Sequence, residues 1–456
     1  MDLMDEMRAQ VLDLSALRIS GRVARVDGQM LAVRGLTDAA RIGDWLDIRT
    51  RNGSRIGAEI LRLTPEEVQA LPDGPRDGLA IDDRAELRPA RGIAPDDSWI
   101  GRVFDPYGQP LDGRPLLRGA QDRPLDSPAP EPARRGRLGQ RLDTGMAVFN
   151  TLLPLVAGQR IGLFAGSGVG KTLLLGQFAR HMQADLVVIA LVGERGRELR
   201  DFIEDVLGAD GLARAVIVTA TSDQPPLTRR RCAQAAMCVA EHFRDQGRHV
   251  LLLTDSITRL AEAHREVALA AGEDASLRGF PPSTAQRIMA LAERAGPGRD
   301  GLGAITAIFT VLVAGSDMEE PVADILRGVL DGHTVMDRAI AERGRFPAID
   351  VLRSVSRALP HCATPEENAR IAEARRLLGA YDRAEMMVQA GLYERGSDPL
   401  VDRAIATWPA LDAFIAESAP AGIKGAFARL AQCLEPPPRP QPTAKHTAKP
   451  PQRPGT

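Results

Sequence analysis

The run Gly166-Ser167-Gly168-Val169-Gly170-Lys171-Thr172 is the stretch of this chain best suited to chemistry. A phosphate is held by backbone N–H groups aimed at one point. Glycines allow that close approach, and the start of a helix adds its positive dipole end. Here the apolar, strand-like "RIGLF" leads into the loop and the helical "TLLLGQFARHM" leads out of it. In such loops the lysine, Lys171, reaches the β- and γ-phosphates of a nucleotide, and the hydroxyl, Thr172, binds Mg2+. Ala165 stands where these loops usually open on glycine, which leaves Gly166, Gly168 and Gly170 to shape the turn. A glycine-rich connector that binds nothing is the bland alternative, and the flanking strand and helix weigh against it.

A Mg2+-nucleotide site also needs a carboxylate at the end of a neighbouring strand, and "HVLLLTDS" delivers Asp255 there. Taken alone, an aspartate ending a strand is more often a helix cap. Paired with the loop, the metal role becomes the better reading. Hydrolysis further requires a base or a group that positions water near the γ-phosphate. "LVGERGRELRDF" offers Glu194 beside Arg195, and Glu198 shortly after. Spacing alone does not choose between the two glutamates.

The elements that must position these groups can be read from the apolar pattern. Strands at "RIGLF", "DLVVIALV", "AVIVT", "HVLLLT" and "AITAIFTVLV" alternate with helical stretches such as Thr228 to Gln246. That alternation predicts a mostly parallel sheet covered by helices. Ahead of it, residues 20–88 alternate apolar with polar around Asp27-Gly28 and Asn52-Gly53, both tight-hairpin signals, so a small antiparallel barrel is expected. A Pro- and Arg-rich connector follows at roughly 113–140, and after about residue 355 the pattern is helical to Leu434. Met4, Met7, Val11 and Leu14 form one apolar stripe, predicting a short amphipathic helix that a partner's groove would complete. The resulting division is helix 1–18, barrel 19–90, P-loop core 91–354, helical domain 355–434 and a disordered Pro-rich basic tail 435–456.

With 456 residues the chain has room for two or three domains, and a formal charge of −2 demands neither nucleic acid nor a membrane surface. The first twenty residues start acidic and do not read as a secretory signal. Cys232, Cys238, Cys362 and Cys433 lack metal-ligand spacing and read as reduced thiols, in keeping with a cytoplasmic setting.

In order along the chain, "GSGVGKT", "GERGRE", "LLLTDSITRLAEAHREV", "RGFPPS", "EPVADILRGVLDGH" and "FPAIDVLRSVSR" resemble the rotary ATP synthase α/β superfamily. They are most similar to its protein-export branch, the ATPases of flagellar and type III secretion systems. The resemblance spans roughly residues 20–434. It implies an α/β fold with an N-terminal β-barrel, a RecA-like P-loop ATPase core and a C-terminal helical domain, assembled as a homohexamer that hydrolyses MgATP. It also implies roles that spacing left open. Glu194 matches the glutamate that activates water, and Arg195 an arginine close to the γ-phosphate. Asp255 matches the Mg2+ carboxylate and Phe346 the aromatic that stacks on adenine. Arg357 matches the arginine finger that reaches a neighbouring subunit's nucleotide. Because Glu194 and Arg357 occur in one chain, that chain could supply both halves of every interface.

The partners so implied are a stator-like regulator on the N-terminal helix, the export gate and chaperone–cargo complexes, with peripheral association at the inner face of the cytoplasmic membrane through them. A virulence secretion ATPase and a catalytic subunit of an ion-driven synthase are the alternatives within the superfamily. A Rho-like RNA translocase is disfavoured, because residues 1–98 contain Trp45 but no Phe or Tyr on which bases could stack.

Overall fold

The computed structural model describes residues 18–299, 301–313 and 318–435. The amphipathic stripe from Met4 to Leu14 and the tail beyond 435 lie outside the described residues.

Six strands form the N-terminal unit: β1 (Ser20–Asp27), β2 (Met30–Arg34), β3 (Trp45–Arg49), β4 (Arg55–Leu63), β5 (Val68–Pro72) and β6 (Arg84–Arg88). They close into a barrel in the order β1-β2-β5-β4-β3-β6. The hairpins turn at Gly28 (φ 52°) and Gly53 (φ 85°), left-handed conformations that favour glycine. Strict alternation along β4 sends Ile56, Ala58 and Ile60 inward, where Ala58 and Ile60 meet Val23, Leu31, Leu46 and Ile48. Closure leaves no open sheet edge. The barrel is fastened to the core by polar contacts, with Arg230 Nη2 2.6 Å from Glu59 Oε1 and the Thr228 hydroxyl donating to Asp73 at 2.7 Å.

The core then runs β7 (Arg102–Phe104), β8 (Arg160–Ala165), α1 (Lys171–His181), β9 (Leu186–Glu194), β10 (Ala215–Thr221), α2 (Pro226–Asp245), β11 (His249–Asp255), α3 (Ile257–Ala270), α4 (Pro282–Arg294), β12 (Gly296–Pro297), β13 (Ala304–Leu312), α5 (Pro321–Val329), β14 (Gly332–Met336) and β15 (Ile349–Ser356). Helices α6 (Pro365–Gln389), α7 (Pro399–Ala416) and α8 (Gly422–Leu434) follow.

The core strands make one sheet in the order β15-β14-β8-β13-β11-β9-β10-β7, with β12 paired on β13. All neighbours are parallel except β14–β15 and β12–β13. Strands β9, β10 and β11 are buried along almost their whole length, as a parallel sheet covered on both faces requires. One face packs α1 together with Leu377, Leu411, Phe414, Phe427 and Leu430 of the C-terminal helices. The other packs Ala236, Val239 and Phe243 of α2 with Leu260, Ile288 and Leu326. The expected fold class is the observed one. The apolar pattern did not disclose β7, a three-residue strand followed by "DPYGQP", nor the antiparallel edge pair β14–β15, where the half-exposed β15 carries Asp350 and Arg353.

Candidate nucleotide-binding site

Parallel pairing aligns the carboxyl ends of the core strands, where open α/β sheets bind ligands. Ala165 ends β8 beside Leu312 of β13, Asp255 ends β11 opposite Leu191 of β9, and Glu194 ends β9. The chain leaves β8 through a loop that takes left-handed turns at Gly168 (φ 77°) and Gly170 (φ 84°) and enters α1 directly at Lys171. Val169 is buried beneath the loop while Ser167, Gly168 and Thr172 face outward. The N–H groups of the loop and of the first turn of α1 therefore converge on one exposed spot at a helix N-terminus, a ready anion site.

Three of the expected side chains meet under this loop. Lys171 Nζ is ion-paired with Asp255 Oδ1 and lies 3.9 Å from Glu194 Oε1. Asp255 is buried, and its Oδ1 also accepts a 2.7 Å hydrogen bond from Thr310, a buried residue of β13. Sequence reasoning missed Thr310. Its signal was a hydroxyl, one of two with Thr306, in the otherwise apolar strand "AITAIFTVL". The cap of α3 is Ser256, whose side chain accepts from the N–H of Arg259, so Asp255 is free of the capping role that was its bland alternative.

The two glutamates separate by environment. Burial and the nearby Asp255 carboxylate push the Glu194 carboxyl up to about 7, against the pull of Lys171, and the hydrogen bond that protonated Glu194 donates to the Glu198 carboxylate adds to the rise. Glu198 is half exposed, and that shared hydrogen bond together with its 3.0 Å pair to Arg195 holds it below its ordinary range. Arg195 itself is exposed and turned toward Glu198 rather than toward Lys171. Phe346 lies at the other flank of the loop, where a Cβ placed on Gly170 would come within 3.2 Å of its ring.

Arg357 is not part of this cluster. It follows β15, whose start Ile349 pairs with Met336 beside Ala165 and whose end Ser356 pairs with Gly332. Between these two pairings β14 advances only four residues, about 13 Å at roughly 3.3 Å each. Arg357, whose N–H donates to the Asp331 carbonyl, therefore lies at the opposite end of β14 from its own phosphate loop. It is exposed there, its Nη2 3.4 Å from the carbonyl of Arg327.

The donor set suits Mg2+. Asp255 and Thr172 would supply hard oxygen ligands, and Mg2+ takes few protein ligands and completes its shell with phosphates and water. When bound, the ion neutralises the charge on the β- and γ-phosphates. The chain's own part would be to cradle the phosphates on backbone N–H groups, bring Lys171 to them, and offer the half-buried Glu194 carboxyl beside them. A strand–loop–helix with this set is the site of a P-loop nucleoside triphosphatase.

The comparisons with known proteins narrow that class. Residues 145–356 match the ATP synthase alpha/beta family, nucleotide-binding domain, and residues 363–430 match the type III secretion EscN ATPase C-terminal domain. The flagellum-specific ATP synthase of Caulobacter vibrioides is 43% identical over 441 residues, covering 95% of this chain and 99% of that protein. That of Salmonella typhimurium is 42% identical over 431 residues, covering 90% and 92%. Among solved structures, the assembled ATPase EscN of the enteropathogenic E. coli type III secretion system superposes with a TM-score of 0.84 at 35% identity, covering 91% of this chain and all of that one. EscN in complex with its central stalk EscO gives 0.82 at 36%, with the same coverage. The chain belongs to the ATP synthase alpha/beta family, in its flagellar and type III secretion branch, and is an ATP hydrolase.

Proposed function

We propose that this chain is the ATPase of a flagellar protein-export apparatus, working as a homohexamer with one complete site at each subunit interface. Lys171, Thr172 and Asp255 hold MgATP, and Phe346 stacks on its adenine. Glu194 takes the proton of the attacking water, and Arg357 of the adjacent copy stabilises the charge developing on the γ-phosphate. Arg195 lies at the mouth of this site. The observation that carries the reading is the placement of Arg357: one edge strand, β15, has Phe346 before its near end and Arg357 at its far end, out of reach of its own nucleotide. The flagellum-specific names of the relatives favour flagellar export over virulence secretion. The EscN-type C-terminal domain favours export over ion-driven synthesis.

The assembled EscN and its stalk complex support a ring that receives a central partner. The amphipathic stripe Met4–Leu14 would recruit a stator-like regulator, which in turn would bring the ring to the export gate and its chaperone–cargo complexes on the cytoplasmic side. Among the described residues no helix is long and apolar enough to cross a membrane.

The test is the order of reaction in protein. Specific activity should rise with protein concentration as rings assemble. Arg357→Ala should bind ATP as the parent does yet turn over about 10³-fold more slowly or worse. A monomer active at full rate at all concentrations would refute the shared site.

A further inference from the structure

We infer that Arg345 is a positioning residue for the adenine end of the site, linking the Phe346 turn to helix α7 of the C-terminal domain. The inference rests on the reading of Phe346 as the adenine-stacking residue.

Phe346 is 47% exposed, so close packing around its ring cannot fix its direction. The backbone of residues 346–349 has to do so. Two anchors of that backbone are local: the Ile349 N–H donates to the Pro347 carbonyl at 2.8 Å, and the Asp337 N–H donates to the Ala348 carbonyl at 2.8 Å. The third is the guanidinium of Arg345. Its Nη1 donates to the Pro347 carbonyl at 3.1 Å and its Nη2 to the Ile349 carbonyl at 2.8 Å, so one planar fork spans the turn that follows the aromatic ring.

The same guanidinium reaches out of the core. Its Nε lies 2.9 Å from Oδ1 of Asp412 on α7, off the N–H direction, so this contact is an ion pair rather than an aligned hydrogen bond. The Arg345 side chain is only 9% exposed, and a buried charge that loses its counter-ion is strongly disfavoured. Burial already draws its pKa below the ordinary value, with Asp412 pulling the other way. Beside the pair is a cavity of about 220 Å³ lined by Tyr381, Trp408 and Asp412, and a second bridge, Arg343 to Glu385 of α6 at 2.8 Å, crosses the same seam.

The fork therefore holds its geometry when α7 is docked and loses its neutralising partner when α7 moves away. Adenine binding and the docking of the C-terminal helices are coupled through Arg345, and the coupling is reciprocal.

The experiment measures ATP and CTP hydrolysis by the full-length assembled enzyme and its Arg345→Lys, Asp412→Asn and Phe346→Leu variants. Arg345→Lys keeps the charge and loses the fork. It should raise KM for ATP about tenfold, within the range expected when base–aromatic stacking is impaired. Its kcat should stay close to the parent value, and KM for CTP should rise less, because the smaller base stacks less. Asp412→Asn, nearly isosteric, should shift the ATP/CTP preference in the same direction by a smaller factor. Equal rises in KM for both nucleotides, a fall in kcat at constant KM, or parent-like values in both Arg345→Lys and Asp412→Asn would overturn the inference. If Arg345→Lys fails to fold, a parent-like ATP/CTP preference in Asp412→Asn overturns it alone. If Phe346→Leu leaves the ATP KM unchanged, the adenine reading itself has failed. If Phe346→Leu raises it and Arg345→Lys does not, only the present inference has.

Discussion

Glu194 and Glu198 show how one carboxyl becomes fit for base chemistry while its neighbour does not. Glu194 is pushed up to about 7 by burial and by Asp255, close to the pH at which a base is both available and strong enough. Since kcat/KM reports the free enzyme, it should rise with pH through about 7. Glu194→Gln should bind ATP, hydrolyse it hundreds-fold more slowly in line with loss of about 10²–10⁴, and lose that limb of the profile. A parent-like profile in Glu194→Gln would assign the base elsewhere. The same shift has a cost in stability. Between 4.5 and about 7 the folded form holds this proton more tightly than the unfolded form, so the contribution of Glu194 to stability falls as pH rises through that window. The phosphate loop was legible in the sequence because its chemistry is local: glycines, a lysine and a hydroxyl within one turn of chain. The choice between the glutamates was not. It depends on which of them the sheet buries beside Lys171, a consequence of β9 and β11 being neighbours.

Elements place these residues by strand order. The site draws on β8, β9, β11 and β13, and their apolar runs were plain in the sequence. Their order in the sheet was not, since pairing such as β8 with β13 is non-local and leaves no mark on either strand. The same limit hid the antiparallel β14–β15 edge and, with it, the separation of Phe346 from Arg357. Helices α2 and α4, which cover one face of the sheet, are joined by Arg294 and Glu241, each side chain 4% exposed, at 2.7 Å. The pairing and its hydrogen bonds raise the Arg294 pKa despite burial. Glu241→Gln leaves a buried guanidinium without its counter-ion and should lower unfolding free energy by on the order of 3 kcal/mol, measured by denaturant titration. Because the pair lies away from Lys171, the folded variant should keep the parent's ATP KM. A change below about 0.5 kcal/mol, the size of a neutral surface substitution, would mean that the pair is not buried in solution.

At the scale of the whole molecule the proposed function makes the chain half of each of two sites. On that proposal its loop face holds the nucleotide and the far end of β15 offers Arg357 to a neighbour, so closed rotational symmetry would complete every site from one kind of subunit. That claim is tested most directly by mixing two inactive proteins. Glu194→Gln retains its finger and Arg357→Ala retains its base, so mixed rings contain interfaces where an intact Glu194 faces an intact Arg357. The account predicts that each variant alone is nearly inactive and that dissociating, mixing and reassembling them restores ATP hydrolysis well above the sum of the two. If the reassembled mixture is no more active than that sum, although mass measurement shows mixed rings, Arg357 does not act across the interface and the account is wrong.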